Sequence, residues 1–328
     1  MGSPSIVWLR DDLRLADNPA LTAAAERGEP IVLVYVLDEV SPGIRPLGGA
    51  SRWWLHHSLA ALGPHLVLRR GAAEEVLPAL VAETGAGAVF WNRRYGASRE
   101  IDARLKTRLR GDGLEVQSHQ ASLLVEPWTL TTGSGGPYRV FTPFWKAARE
   151  LDFREPLPVP GGIEGLMSGT AMSDDLDDWG LLPTRPDWAA GLREAWTPGE
   201  AGARDQLETF VDDRLADYHR RDEPAVEGTS RLSPHLRFGE ISPFQIWHRL
   251  HGAMSPAARK NVSKFLSEVG WREFNWSILF HAPELAERNY RPAYDAFPWD
   301  DPDPEELAAW KEGRTGIPLV DADRKSVV

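Results

Sequence analysis

The chain has 328 residues, 42% hydrophobic and 26% charged, a globular balance long enough for two cores. It contains no cysteine, which excludes disulfides, thiolate nucleophiles and Cys-ligated zinc, and no apolar run approaches the ~20 residues of a membrane span. The net charge of -11 argues against nucleic-acid attraction in bulk, yet His219 to Asn275 holds nine basic and six acidic residues, a local excess of +3.

The chain opens MGSPSIVWLRDD and reaches acidic residues at once, without the basic region and apolar core of a secretory signal. Five short apolar runs follow, at 6–9, 31–37, 66–68, 88–91 and 115–117. Strands apolar on both faces suit a parallel sheet covered by helices. Between them the pattern predicts helices. One starts at Asn18-Pro19, with Asn as N-cap and Pro in the first turn, and stops at Gly28. Three more are predicted over Ser51–Leu62, Glu74–Thr84 and Ser98–Arg110, each ending at or near a glycine. This alternation predicts an α/β domain over 1–130 with a doubly wound, parallel, five-stranded sheet.

Gly133-Ser-Gly-Gly136 follows no strand and reads as a turn rather than a phosphate loop. The Pro-, Gly- and Asp-rich stretch from Glu155 to Gly202 reads as a surface connection, giving a linker over 131–202. An all-α domain is expected over 203–322, with helices at 204–218, 242–250, 256–280 and 304–312. His56, His57 and His219 stand apart from any metal-ligand spacing, and no metal is expected.

Three strings carry candidate chemistry. WLRDDLRLADNPAL starts at Trp8, where a strand's carboxyl end meets a charged loop. That edge is where open α/β sheets bind ligands, but the residue types alone favour a salt-bridged loop with an N-cap at Asn18. The second string is YHRRDEPAVEGTSRLSPHLRFGEIS from Tyr218. Hydroxyls and backbone N–H groups at Thr229 and Ser230, with Arg231, could bind a pyrophosphate; a capped helix with a surface arginine is the alternative. The third is KFLSEVGWREFNWSILF from Lys264. Phe265, Glu268, Trp271, Arg272 and Asn275 fall at helical spacings on one broad face. An indole, a carboxylate and a guanidinium there suit a base that has left its stack. A core helix with one Glu268–Arg272 pair accounts for the same spacing.

In these strings the chain resembles the cryptochrome/DNA photolyase family, most closely a class I cyclobutane pyrimidine dimer photolyase. The resemblance implies light-driven, FAD-dependent splitting of such dimers in UV-damaged DNA. It implies FAD contacts at Tyr218, Thr229, Ser230, Arg231, Leu232, Ser233 and Phe265, although the spacing from Tyr218 to Asp222 is one residue shorter than in the family. It implies dimer binding by Glu268 and Trp271, and DNA contacts at Arg221, Arg272 and Asn275. Trp299, in AFPWDD, matches the outermost member of an electron-transfer chain of tryptophans. A second, light-harvesting antenna chromophore, a deazaflavin or a reduced folate, is expected at the α/β domain. The alternative is a cryptochrome-type blue-light signalling flavoprotein, against which Glu268 and Trp271 together argue. A cytoplasmic monomer is expected.

The family continues beyond the segment WKEGRTGIPLVDA, which starts at Trp310. Here DRKSVV follows, fits no continuing helix, and corresponds to codons resembling a sequencing adapter. A non-native tail over 323–328 is therefore expected, on a truncated chain that binds FAD weakly or not at all.

Overall fold

The computed structural model of the chain describes residues 2–167 and 171–326, with the side chains of 323–326 left aside. Two compact units are found, Met1–Pro283 and Glu284–Val328.

In the first unit five strands form one parallel sheet: β1 (Ser5–Leu9), β2 (Ile31–Leu37), β3 (Leu66–Arg70), β4 (Ala88–Asn92) and β5 (Glu115–His119). Their order is β3-β2-β1-β4-β5, every neighbouring pair parallel. The chain thus builds outward from β1 in one direction, then crosses over to build in the other, placing a crevice at the carboxyl ends of β1 and β4. Alternation along each strand sorts the side chains. Val7, Leu9, Leu33 and Phe90 pack with α1 (Pro19–Glu26) and α2 (Gly49–Ala61). Ile6, Trp8, Val34 and Trp91 pack with α3 (Ala73–Thr84) and α4 (Arg99–Gly111). Asn18 caps α1 as its sequence predicts, accepting from the Leu21 N–H at 3.2 Å.

The 131–202 stretch is more structured than its composition suggests. The glycines at 133–136 form the expected turn, closed by Thr132 and Gly136. Then α5 (Phe141–Ala148) buries Phe144 and Ala148 in a helical core. Two short helices follow, α6 (Ile163–Leu166) and α7 (Ala190–Ala195). Trp179, between them, is buried against the sheet's first layer. Apolar anchors spaced through a polar stretch escape a composition reading.

The rest of the first unit is helical: α8 (Glu200–Thr209), irregular turns through Arg220, α9 (Ser233–Phe238), α10 (Pro243–Gly252) and α11 (Arg259–His281). The helix expected over 204–218 stops early, because its hydrogen bonding loosens to a π turn at Phe210–Arg214 and tightens to a 3-10 turn at Leu215–Arg220. Ser242 and Gln245 form a capping box on α10. The second unit holds α12 (Pro304–Lys311) and α13 (Pro318–Ser326). The backbone of α13 runs through Ser326, so 323–326 continues a helix where the residue pattern suggested none; residues 327 and 328 of the expected tail lie outside the described residues.

The sheet and the helical layer meet at one buried junction. Arg14, in the loop after β1, donates to the carbonyls of Asp17 at 2.9 Å, Gly239 at 2.8 Å and Ala121 at 3.2 Å. The Leu13 N–H donates to Phe238 O at 3.0 Å. Gly239 ends α9 at φ +68°, and a Cβ there would lie 1.9 Å from Asp11 O. Replacing Gly239 with alanine is expected to lower the unfolding free energy by about 2–4 kcal/mol, from left-handed strain and steric overlap together. The midpoint of denaturant unfolding measures this; an unshifted midpoint would show that the two loops can separate freely.

Candidate functional site

The charged loop after β1 is mostly structural. Arg10 is buried, pairs with Asp102 at 3.1 Å, lies 4.0 Å over the Trp8 ring, and has its pKa lowered to about 10 by burial. Asp12 accepts from the Arg10 N–H and from Asn92 Nδ2, both at 2.6 Å. Most of the network is paired, as burial demands, but Arg10 Nε and Trp8 Nε1 are buried without a hydrogen-bond partner among the described residues. Asp11 instead reaches outward to Arg237 at 2.6 Å and stands at the edge of two cavities.

The larger cavity has a volume of about 830 Å³ and opens at the sheet's switch point. Its wall brings together Tyr218, the run Thr229–Ser233, Phe265, Glu268 and Arg272. These come from the turn before α9, from the start of α9 and from the middle of α11, and no local contact dictates their meeting. Tyr218 packs edge-on to Phe265 at 5.3 Å and to Phe210 at 5.6 Å. Burial, with the nearby Glu268 charge, pushes its hydroxyl up to about 12. Arg231 has a left-handed backbone, φ +56°. Its guanidinium donates to Ala195 O at 2.9 Å and lies 4.2 Å over the Trp196 ring, so its head is partly committed.

One arc of α11 faces the cavity: Phe265, Glu268, Val269, Arg272 and Trp276. At about 100° per residue these span about 100° around the axis, and Trp271 lies about 60° beyond Glu268. Trp271 and Asn275 are accordingly exposed and do not line the cavity. Trp271 instead lies flat on Phe141 of α5, ring centroids 3.7 Å apart and planes 10° apart. The Glu268–Arg272 pair does not form either. Glu268 pairs with Lys264 at 2.7 Å, and Arg272 turns to Glu273 at 2.9 Å. Arg221 lies 5.4 Å over the Tyr218 ring and pairs with Asp222. Trp299, in the second unit, is 79% exposed beside Phe297.

Sequence reasoning missed the opposite wall. Arg93, Arg94 and Tyr95 follow β4, and Arg237 lies within the second string. Asn-Arg-Arg-Tyr after a buried strand was the available signal, since it sits at a carboxyl edge beside β1. Among the described lining residues are five arginines and two carboxylates, Asp11 and Glu268. Arg93, Arg94, Arg237 and Arg272 are already paired with Glu126, Asp102, Asp11 and Glu273, which leaves Arg231 as the lining arginine whose charge no ion pair among the described residues takes up. No group of three or more acidic, His or Cys residues fit to hold a metal occurs among the described residues. A second cavity of about 250 Å³ lies at the ends of β1 and β2, lined by Trp8, Tyr35, Glu39, Arg45 and Phe238. It shares Asp11, Arg94, Ser98 and Arg237 with the first.

Glu273 was also invisible in the sequence. It is fully buried on α11 and accepts from the Val125 N–H at 3.1 Å, tying the helix to the loop after β5. Burial raises its pKa to about 7, outweighing Arg272 and the backbone donors. Between pH 4.5 and about 7 the folded chain therefore holds a proton that the unfolded chain has released. Its contribution to stability falls as pH rises through that window and is level above it, by on the order of 3 kcal/mol in total. Glu273→Gln is expected to flatten this slope in unfolding free energies measured from pH 5 to 8; a wild-type slope in the variant would assign it to other groups.

Comparison with known proteins bears on these cavities. The model for the family described as DNA photolyase matches residues 5–161, and that for the FAD binding domain of DNA photolyase matches 265–327. A deoxyribodipyrimidine photo-lyase of Agrobacterium fabrum is 48% identical over 99% of this chain and 69% of its own length. Cryptochrome-1 of Arabidopsis thaliana is 33% identical over 99% of this chain, which spans half of that relative. The crystal structure of a bacterial class III photolyase from Agrobacterium tumefaciens superposes with a TM-score of 0.93 at 47% identity, covering all of this chain and 69% of the other.

Proposed function

The chain belongs to the DNA photolyase/cryptochrome family, and on that premise we propose that it serves light-driven, FAD-dependent splitting of cyclobutane pyrimidine dimers in DNA. The observation that carries this reading is the single cavity gathering Tyr218, Thr229–Ser233, Phe265, Glu268 and Arg272. Within the family we place it beside the class III neighbour rather than class I, on the strength of that neighbour's identity.

The residues present fit a flavin dinucleotide. The cavity volume falls in the roughly 300–1,000 Å³ range of ligand clefts. Hydroxyls of Thr229, Ser230 and Ser233 and the Arg231 guanidinium suit a pyrophosphate, and Phe265 with Leu232 suits a ring system. Held by these residues, reduced FAD would supply the light-driven electron-transfer chemistry that dimer splitting needs. The chain's own residues bind and orient. Glu268 offers carboxylate oxygens to the N–H edge of a flipped pyrimidine. Trp271 offers a half-exposed indole for stacking, and Arg221, Arg272 and Asn275 are assigned to DNA nearby. Trp299, exposed in the second unit, is assigned to electron entry. The smaller cavity is assigned to an antenna chromophore, deazaflavin or reduced folate, since its mix of indole, phenol and arginine suits a flat polar ring. We assign the protein to the cytoplasm as a monomer acting on UV-damaged DNA; no described helix is long and apolar enough to cross a membrane.

Trp271→Ala is expected to weaken binding to a dimer-containing oligonucleotide about tenfold or more, as loss of one base–aromatic stack does. Unchanged affinity would remove Trp271 from that role. Joined to the third of the Agrobacterium fabrum relative that it does not cover, the chain is expected to clear dimers from irradiated DNA under blue light. A flavin-loaded protein that leaves the dimers intact would favour the cryptochrome reading.

A further inference from the structure

The exposed Trp271 is not free to turn. One face of its indole lies on Phe141 at 3.7 Å and 10°, and Phe274 meets it edge-on at 5.8 Å and 73°. The two contacts come from different helices, α5 and α11. Yet 41% of the residue stays exposed, so the face away from Phe141 is accessible.

The placement of Phe141 has a traceable cause. Phe144 and Ala148 anchor α5 in the helical core. Trp145, one turn on from Phe141 with its ring 9° from parallel, lies against the backbone of α11. A Cβ at residue 270 would sit 2.5 Å from the Trp145 ring, so only a glycine there admits this approach. Trp145 is held in turn by Trp247 of α10, edge-on at 6.1 Å. Gly270 thus sets how closely α5 lies to α11, and that spacing brings Phe141 flat onto the neighbouring Trp271.

We propose that Phe141 is a positioning residue, which holds the Trp271 indole in the plane on which a flipped pyrimidine stacks, with Gly270 setting the spacing. The proposal rests on the stacking role given to Trp271 above. An exposed indole without this support samples several rotamers, and binding must then select one. The supported ring is already ordered, by contacts outside the cavity wall where Glu268 and Arg272 stand.

The test uses the full 328-residue chain labelled with 5-fluorotryptophan, the Trp271 line being identified by its loss in Trp271→Ala. Phe141→Leu keeps most of the volume and removes the flat partner. It is expected to shift and broaden the Trp271 line while the lines of buried Trp8 and Trp91 stay in place; Phe141→Tyr is expected to restore the wild-type line. An unmoved Trp271 line in Phe141→Leu overturns the proposal. Should leucine unfold the chain, Phe141→Met, which fills the space with a flexible side chain, gives the same reading. For a dimer-containing oligonucleotide, Phe141→Leu is expected to weaken affinity about two- to tenfold, the range of an aromatic pair, and to add nothing in a Trp271→Ala background. An equal loss in both backgrounds overturns the proposal. If Trp271→Ala itself leaves affinity unchanged, the stacking role fails, and the fluorine line alone judges whether Phe141 orders the indole.

Discussion

Arg14 has almost no contact with solvent, yet its guanidinium serves backbone carbonyls from three separate parts of the chain. A buried cation of this kind is tolerated only where donors meet acceptors, and the acceptors are the loop after β1, the loop after β5 and the turn after α9. The sheet and the helical layer are therefore locked at that point. Gly239 makes the lock possible by letting two backbones approach to a distance no side chain allows. Next to it Glu240, fully buried, accepts from Trp54 Nε1 at 3.0 Å, the Gly199 N–H at 2.7 Å and Ser58, with His235 Nδ1 2.5 Å away.

What the lock positions is the larger cavity. The run Thr229–Ser233 leads into α9, and α9 ends at Gly239, so fixing the end of the helix fixes the hydroxyl-bearing strip. That strip then faces Arg93 and Arg94 across the sheet's switch point, where parallel strands leave a crevice. Helix α11 closes the third side, and Glu273 anchors it to the loop after β5. A buried carboxylate costs solvation; the backbone donors and Arg272 offset that cost only in part, which is why its proton affinity rises.

The same helix serves two surfaces because its faces are divided by angle. The arc of Phe265, Glu268, Val269, Arg272 and Trp276 belongs to the cavity, and the flank carrying Trp271 belongs to α5. A glycine at the boundary lets an indole pack against the helix backbone, so the aromatic ladder of Trp145, Phe141 and Trp271 runs beside the cavity rather than within it.

By itself the sequence determined the layer architecture and the family. Apolar runs buried on both faces, an Asn-Pro helix start and glycines after helices are local signals, and they specify strands and helices wherever the rest of the chain lies. The strings from Gly228 and Phe265 supplied part of one cavity wall, Thr229–Ser233, Phe265, Glu268 and Arg272, while Trp271 and Asn275 of α11 lie outside it. Tertiary structure alone decided who partners whom. Glu268 took Lys264 rather than Arg272, and Arg272 took the buried Glu273, because each head group goes to the partner its burial allows. Arg93 and Arg94 joined the site through strand order, Arg237 through the docking of α9, and Phe141 met Trp271 across 130 residues because Gly270 admits close packing. These are contacts between elements distant in sequence, set by sterics and desolvation, and neither periodicity nor motif spacing encodes them.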